Sequence, residues 1–204
     1  MKILNTKIKN LKVIQQNKFI DNRGFLKITF NNKIINFNKF VFEYSVTSKK
    51  NVIRGLHFQY KYQQAKLVYV LKGKILDVVV DLRKNSPTFG KYYSIVLSDK
   101  NSKALYVPEG FAHGYYCYDK LNIIYYKLSN YYKPQYESGI KWHDKKIKIN
   151  WPLGKKIISN KDKNLQGLDF FRNKFKSLWK KIYYELAVYD KKEINAANKV
   201  LKKL

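Results

Sequence analysis

The chain is poor in the residues that join a fold through covalent or metal cross-links. Its 204 residues include one cysteine and three histidines. Because Cys117 is alone, no disulfide can form within the chain, and the thiol is better explained as a small core residue than as a nucleophile. This composition favours a reducing location, the cytoplasm.

Long apolar segments are also missing. The first ten residues alternate polar and apolar side chains, without the apolar block of a signal peptide. The apolar run Ile-Leu-Asp-Val-Val-Val-Asp-Leu at residues 75–82 is interrupted twice by aspartate and is too short to cross a membrane. We therefore expect neither a signal peptide nor a membrane span.

Acidic residues are few, with 14 against 42 basic residues and a formal net charge of +28. Dense positive charge can bind nucleic acid by releasing counterions from phosphate. Here, however, lysines are spread along the whole chain instead of forming one patch. The sequence therefore argues against a nucleic-acid partner, although a positive field would also attract a small phosphorylated ligand.

What the sequence does contain is a core: hydrophobic residues make up 45% of it. Short apolar-rich runs recur between turn signals such as Asp-Asn-Arg-Gly at residues 21–24 and Asn-Ser-Pro at residues 85–87. The runs cover residues 11–14, 24–30, 40–46, 66–71, 75–82, 92–97, 103–107, 114–118 and 123–128. Closely spaced short strands predict an all-β protein, a sandwich or a jelly-roll barrel.

The periodicity changes after about residue 168. Phe171, Phe175, Leu178, Ile182 and Leu186 recur at helical spacing, with lysines on the other faces. We therefore expect a domain of residues 1–168 and a basic amphipathic helical tail of residues 169–204. The tail is expected to pack on the barrel or on a partner subunit, and binding to a membrane surface is the less favoured alternative.

Two short motifs carry the histidines that are suited to chemistry. His57 lies in Arg-Gly-Leu-His-Phe-Gln at residues 54–59, and His113 lies in Pro-Glu-Gly-Phe-Ala-His-Gly at residues 108–114. Lys66 and Arg83 occur in neighbouring strand-like segments. Since a barrel directs alternating side chains into one lumen, such groups can form a concave pocket for a phosphorylated substrate that develops an oxyanion.

The second motif, Pro-x-Gly-x-x-His, resembles the second motif of cupin barrels. Metal-binding cupins have His-x-His and a glutamate in their first motif, where this chain has only His57. A third histidine would have to be His143, which lies in a polar turn far along the chain. Two histidines without a matching carboxylate make a poor transition-metal site, so we expect no metal and no cofactor.

Seven blocks extend the resemblance to a family. RGLHFQ, QAKLVYV, DLRKNSPTFG, VPEGFAHGYY, YYKLSNYYKP, INWPL and ISNKD follow one another as in dTDP-4-dehydrorhamnose 3,5-epimerases, over residues 12 to about 168. The resemblance implies a metal-free cupin jelly roll, usually a homodimer whose subunits exchange edge strands. It also implies a nucleotide-diphosphate 4-keto sugar as substrate.

The resemblance assigns catalytic roles by motif position. His57 resembles the general base, and Asp162 resembles the carboxylate that orients it. Tyr126 resembles the acid that returns a proton to the opposite ring face, and Lys66 and His113 resemble the groups that stabilise the enolate.

The resemblance also implies substrate ligands. The resemblance assigns the diphosphate or the sugar to Arg23, Arg54 and Lys161, and an aromatic contact near the nucleotide to Tyr132. Asp77 is a weaker candidate, as a partner of His113. The substrate-binding set is Arg23, Phe25, Arg54, Gln59, Tyr132 and Lys161.

Two segments depart from the family pattern. Ile28 stands where relatives commonly have an acid. Before the first motif, where relatives carry Gln-x-Asn-x-Ser, ungapped alignment gives Phe42, Tyr44 and Val46, whereas a one-residue slip gives Glu43, Ser45 and Thr47. The two sets face opposite sides of a strand, so only one can line the pocket. We favour the slipped set because it keeps polar groups in a polar pocket.

Three functions fit the sequence. The first is a 3- or 3,5-epimerase acting in surface polysaccharide biosynthesis. A 3,4-ketoisomerase on the same scaffold would use the same histidine but needs no acid on the opposite face, so Tyr126 favours the epimerase. The third is a cupin that binds a sugar nucleotide without turnover.

Overall fold

The computed structural model describes residues 1–172, and the chain divides into two compact units. Met1–Gln166 form the first unit. The second is Gly167–Leu204, of which residues 168–172 are helical. The predicted helical tail lies outside the described residues from residue 173 onward. Its structure and the boundary after residue 168 stay predictions.

The first unit is built almost entirely from strands. A 3-10 turn spans Pro134–Tyr136, and one short helix, α1, spans Asn160–Lys163. The strands are β1 (Lys2–Asn5), β2 (Lys12–Gln15), β3 (Lys18–Asp21), β4 (Gly24–Lys27), β5 (Phe42–Lys49), β6 (Ile53–Gln59), β7 (Lys66–Lys72), β8 (Lys74–Asp81), β9 (Tyr92–Ser98), β10 (Lys103–Val107), β11 (Phe111–Cys117), β12 (Leu121–Leu128) and β13 (Glu137–Gly139).

These strands form two larger sheets and one hairpin. The six-stranded sheet has the order β1-β2-β10-β7-β12-β5, and the five-stranded sheet has the order β13-β6-β11-β8-β9. Strands β3 and β4 form a separate two-stranded hairpin. The pairings within all three are antiparallel. The all-β class predicted from the sequence is therefore confirmed.

Strand alternation selects the side chains that face the space between the sheets. Along β12, every second residue is buried, including Ile124 and Tyr126. Ile124 packs in one cluster with Val68 of β7, Val79 of β8 and Tyr115 of β11. The cluster thus joins both sheets, and the same alternation turns Tyr126 inward.

The observed strands differ from the predicted runs in several places. The predicted runs do not include β1, β3, β13 or β6, the strand that carries His57. The run predicted over residues 24–30 ends as a strand at Lys27. Among residues 1–172, no helix has both the length and the apolar character needed to cross a membrane.

Candidate active site

His57 of β6 is paired with a carboxylate that lies 105 residues later in the sequence. The distance from His57 Nε2 to Asp162 Oδ1 is 2.7 Å, and the Gly55 N–H donates to Asp162 Oδ2 at 3.1 Å. Burial by itself raises the pKa of Asp162, but the hydrogen bonds from His57 and Gly55 hold that pKa below its usual value. The carboxylate therefore stays charged behind the imidazole.

A close approach of β6 and β11 brings two histidines together. Gly55 has a φ of 121°, and a Cβ there would lie 2.6 Å from Gly114 Cα. Only glycine accepts both conditions without strain. The two strands can therefore pair so that His57 and His113 are register partners.

His113 has a carboxylate of its own. His113 Nε2 lies 2.8 Å from Asp77 Oδ2, and the Asp77 side chain is completely buried on β8. Asp77 Oδ1 has no hydrogen-bond partner among the described residues. The His113 ring is therefore the partner of the other oxygen of this buried carboxylate, Oδ2, and the contact fixes the orientation of the ring.

Tyr126 of β12 is held in the same interior by two rings. It stacks on Tyr44, with centroids 4.9 Å apart and planes 27° apart, and meets the His113 ring edge-on at 5.8 Å. Its residue surface is 4% exposed. Burial raises the pKa of Tyr126 well above its usual value, so the phenol keeps its proton and can serve as an acid.

Lys66 begins β7 and faces the same side of that strand as Val68 and Val70. It is buried, and burial lowers its pKa to about 8, against the opposing effects of Glu137 and Asp77. The ammonium is thus a desolvated positive charge among carboxylates and histidines. Such a charge is suited to holding an oxyanion.

The side chains of His57, Lys66, His113 and Tyr126 line one cavity of about 180 Å³. It is smaller than the roughly 300–1,000 Å³ of sites that enclose a drug-sized ligand, so a nucleotide-linked sugar would extend beyond its mouth. The lining residues are Tyr44, Val46, Arg54, His57, Phe58, Gln59, Gln64, Lys66, His113, Gly114, Tyr115, Tyr126, Tyr132 and Glu137.

Two of the predicted ligands line the cavity in different ways. The Arg54 Nε–H donates to Ser48 Oγ at 3.1 Å, which fixes the guanidinium at the cavity wall. The Gln59 amide is instead used on backbone: it donates to the Tyr62 carbonyl at 2.7 Å and accepts from the Lys133 N–H at 2.6 Å. Gln59 therefore holds the loop next to Tyr132.

Tyr132 and Lys161 meet at a residue that sequence reasoning missed. The Tyr132 hydroxyl donates to Glu137 Oε2 at 2.6 Å, and the Lys161 ammonium binds the same oxygen. Glu137 Oε1 lies 3.9 Å from His57 Nδ1. Glu137 stands in a polar stretch without strand periodicity, so no signal in the sequence singles it out.

The structure does not bring Arg23 and Phe25 to the cavity of their own chain. Both belong to the β3–β4 hairpin, a separate sheet. The Arg23 side chain is 86% exposed and pairs with Asp21 at 2.7 Å, while Phe25 is exposed and lies under the Lys18 ammonium. Their assignment as substrate ligands therefore stays a prediction, and it would require the cavity of a partner subunit.

The choice between the two β5 faces is settled against the slipped set. Tyr44 and Val46 line the cavity, and Phe42 packs against the core. Glu43 points the other way, where it accepts hydrogen bonds from Lys127 and from the Tyr125 hydroxyl. The preference for Glu43, Ser45 and Thr47 was wrong because β5 borders an apolar sandwich interior, which selects aromatic and aliphatic side chains.

Among residues 1–172, no three His, Cys, Asp or Glu side chains come together as metal ligands. His143 contacts the Trp142 ring at 4.7 Å and is not among the cavity-lining residues. Of the cavity histidines, each one is engaged by an aspartate, through Nε2.

Comparison with known proteins places this geometry in a family. The family model for dTDP-4-dehydrorhamnose 3,5-epimerase matches residues 5–169. The dTDP-4-dehydrorhamnose 3,5-epimerase of Methanothermobacter thermautotrophicus is 41% identical over 174 residues, which are 82% of this chain and 94% of the relative.

Two solved structures share the fold. The Legionella pneumophila dTDP-6-deoxy-D-glucose-3,5-epimerase, in complex with dTDP-4-keto-L-rhamnose, superposes with a TM-score of 0.79 at 38% identity and covers 82% of this chain and 93% of its own. The Bacillus anthracis dTDP-4-dehydrorhamnose 3,5-epimerase, with TDP and PPi bound, gives 0.79 at 38% identity over 81% of this chain and 98% of its own. The cupin jelly roll predicted from the sequence is thereby confirmed. The chain belongs to the dTDP-4-dehydrorhamnose 3,5-epimerase family, whose members are isomerases.

Proposed function

We propose that this protein is a cofactor-independent epimerase that inverts C3, C5 or both centres of a dTDP-linked 4-keto-6-deoxy sugar. The names of its relatives and the dTDP sugar bound to the Legionella neighbour support the substrate class. Its product would enter the biosynthesis of a surface polysaccharide. The single free thiol, Cys117, fits a cytoplasmic enzyme.

The reaction needs a base, an enolate site and an acid. A 4-keto group acidifies the C–H bonds at C3 and C5, so a base held against the carbon can remove a proton. The electrons move onto the carbonyl oxygen, which requires nearby positive charge or donors. Inversion then requires a proton from the opposite face, because one group acting on one face restores the original centre.

His57 is the proposed base. Since Nε2 faces Asp162 at 2.7 Å, Nδ1 is the nitrogen that takes the substrate proton. Asp162 then stabilises the imidazolium and fixes the ring orientation, as the carboxylate does in other His–Asp pairs.

Tyr126 is the proposed acid, and Lys66 and His113 are the proposed enolate ligands. The raised pKa of Tyr126 supports a phenol that arrives protonated. Lys66 keeps its charge at pH values below its pKa of about 8. His113 contacts the Tyr126 ring and is hydrogen-bonded to Asp77.

The observation that carries this proposal is that His57, with Asp162 behind it, and the Tyr126 phenol line one cavity. The test is incubation with dTDP-4-keto-6-deoxyglucose in deuterium oxide, followed by NMR of the sugar. We expect deuterium at C3, C5 or both, no exchange in His57→Ala, and greater loss of inversion than of exchange in Tyr126→Phe. A moved carbonyl would indicate a ketoisomerase, and binding without exchange would indicate a sugar-binding cupin.

We further propose that the active form is a homodimer in which the β3–β4 hairpin reaches the partner's cavity. Phe19, Ile20, Phe25 and Leu26 expose 55–75% of their surface on this hairpin, which is a large apolar area for one small sheet. A hairpin placed over the partner's cavity mouth would bring Arg23 to the diphosphate. Ile20→Asp should give monomers in sedimentation analysis and weaker dTDP binding; a dimer with normal binding would contradict this arrangement.

A further inference from the structure

Glu137 divides its carboxylate between two parts of the proposed site. Oε2 accepts hydrogen bonds from Tyr132 and Lys161, the proposed ligands of the nucleotide end. Oε1 lies 3.9 Å from Nδ1 of His57, the proposed base. One side chain therefore contacts both the groups that bind the substrate and the group that removes its proton.

The backbone fixes Glu137 in this place. β13 pairs with β6 so that Glu137 is opposite Gln59 and Gly139 is opposite His57. The Glu137 side chain is 13% exposed, so its charge acts in a partly desolvated wall where electrostatic effects are stronger than in water. Its geometry is thus set by a strand ladder and not by a free loop.

The imidazole of His57 lies between two carboxylates. Asp162 engages Nε2 from α1, and Glu137 approaches Nδ1 from β13. Lys161, also on α1, reduces the charge that Glu137 presents. The other charged or titratable groups that share the cavity are His113 from β11, Lys66 from β7, Tyr126 from β12, Tyr44 from β5, Tyr115 from β11, Arg54 from β6 itself and Tyr132 from the loop before β13.

We propose that Glu137 is a positioning residue that couples binding of the substrate's diphosphate to the strength of His57 as a base. This inference rests on the proposed function. In the free protein, Lys161 neutralises much of the Glu137 charge. When the diphosphate draws Lys161 to itself, the released carboxylate charge acts on His57 and favours the imidazolium, which is the form that His57 takes after removing the substrate proton.

The coupling has a clear chemical benefit. The base becomes stronger when a diphosphate is present and stays weaker in the empty cavity. Glu137 acts through His57 and does not itself contact the reacting carbon. Proton abstraction then depends on the nucleotide end of the substrate as well as on the sugar.

The test is an NMR titration of the His57 ring in the full chain. The chain has three histidines, so the His57 signal is identified by its loss in His57→Asn. In Glu137→Gln, one of two nearby negative charges is lost, and the titration midpoint should fall by on the order of one pH unit. In Lys161→Met, the Glu137 charge is no longer neutralised, so the midpoint should rise.

Addition of dTDP tests the coupling itself. In wild-type protein it should raise the His57 midpoint, and in Glu137→Gln and in Lys161→Met this rise should be smaller. Glu43→Gln is the matched control, since it removes a carboxylate that pairs with Lys127 away from the cavity. Its His57 midpoint should equal that of wild type.

Shifts in the same direction for Glu137→Gln and Lys161→Met would overturn the inference, and so would an equal dTDP response in all variants. If Glu137→Gln does not fold, as judged by thermal melting, the direction of the Lys161→Met shift decides. The titration requires no turnover. Failure of the proposed epimerase activity, read from deuterium exchange in wild-type protein, is therefore distinguishable from failure of the coupling.

Discussion

Asp162→Asn tests the proposed base most directly, because it removes the charge behind His57 and keeps the size of the side chain. Asp162 now accepts hydrogen bonds from two donors, the His57 ring at 2.7 Å and the Gly55 N–H at 3.1 Å. Asparagine has one acceptor oxygen in place of two. It can serve the ring or the backbone, and its NH₂ group then faces the donor that remains.

The expected loss follows from the bond that disappears. A hydrogen bond to a charged group contributes about 1.5–3 kcal/mol. Because about 1.4 kcal/mol corresponds to a tenfold change in rate, the exchange rate should fall roughly ten- to 150-fold. Binding of dTDP should change little, since Asp162 does not line the cavity.

The assay is the initial rate of deuterium incorporation at C3 and C5 of the 4-keto sugar, measured by NMR at saturating substrate. Thermal melting shows whether the variant is folded, and Glu43→Gln controls for the loss of a carboxylate outside the cavity. Exchange at the wild-type rate in a folded Asp162→Asn variant would refute the role of the carboxylate behind His57.

Two further predictions follow from buried charges. Lys66 loses its charge above its pKa of about 8, so kcat should fall as the pH rises past that value. Lys66→Arg stays charged and should extend activity to higher pH. If the high-pH side of the kcat profile is the same in wild type and variant, the enolate role of Lys66 is contradicted. Asp81 is fully buried and accepts hydrogen bonds from Arg83, Ser86 and Thr88. Asp81→Asn removes the charge that these donors share, so it should lower the free energy of unfolding by about 1.5–3 kcal/mol in urea titrations at neutral pH. Burial raises the pKa of Asp81, but the hydrogen bonds from its three partners hold that pKa below the ordinary 3.8. The stabilisation that Asp81 contributes to the fold is therefore complete above pH 3.8 and is lost as the pH falls through the lower pKa of the folded state. Equal stability of variant and wild type at neutral pH would contradict this reasoning.

Local pattern was sufficient to predict the all-β class and most strands. The alternation in residues 123–128 and the apolar run of residues 75–82 both correspond to observed strands, β12 and β8. Of the strands that were missed, β1 and β3 are short and mostly exposed, so their residues do not show the period that burial imposes.

The mistaken choice on β5 has a physical cause in strand pairing. Tyr44 is opposite Tyr126 and Val46 is opposite Ile124 on the neighbouring strand β12. Side chains that are directly opposite share a face, so the inward direction of Tyr126 also fixes that of Tyr44. A rule about one strand, that polar groups belong in a polar pocket, could not include this cross-strand contact.

Barrel alternation alone indicated a pocket shared by His57, His113 and Lys66, whereas Asp162 and Tyr126 could be predicted only through the family resemblance. No local pattern relates His57 to Asp162, because their contact depends on where a four-residue helix returns to β6. The resemblance did not predict a role for Glu137, because the motifs assigned roles to its partners Tyr132 and Lys161 and not to the glutamate that both contact. The pairing of β13 with β6 brings Glu137 close to His57. With only three residues, β13 is too short to show a strand pattern in the sequence.

Acidic residues are scarce in this chain, so their positions in the candidate site are informative. Of the 14 acidic residues in the sequence, Asp77, Asp162 and Glu137, all within the described residues 1–172, lie at the two cavity histidines. Each faces an imidazole nitrogen and can fix the orientation of that ring. The cations Lys66 and Arg54 remain to face an incoming anion. A site arranged in this way can attract a diphosphate through the positive field of the whole chain and still keep, next to each histidine, the carboxylate that proton transfer requires.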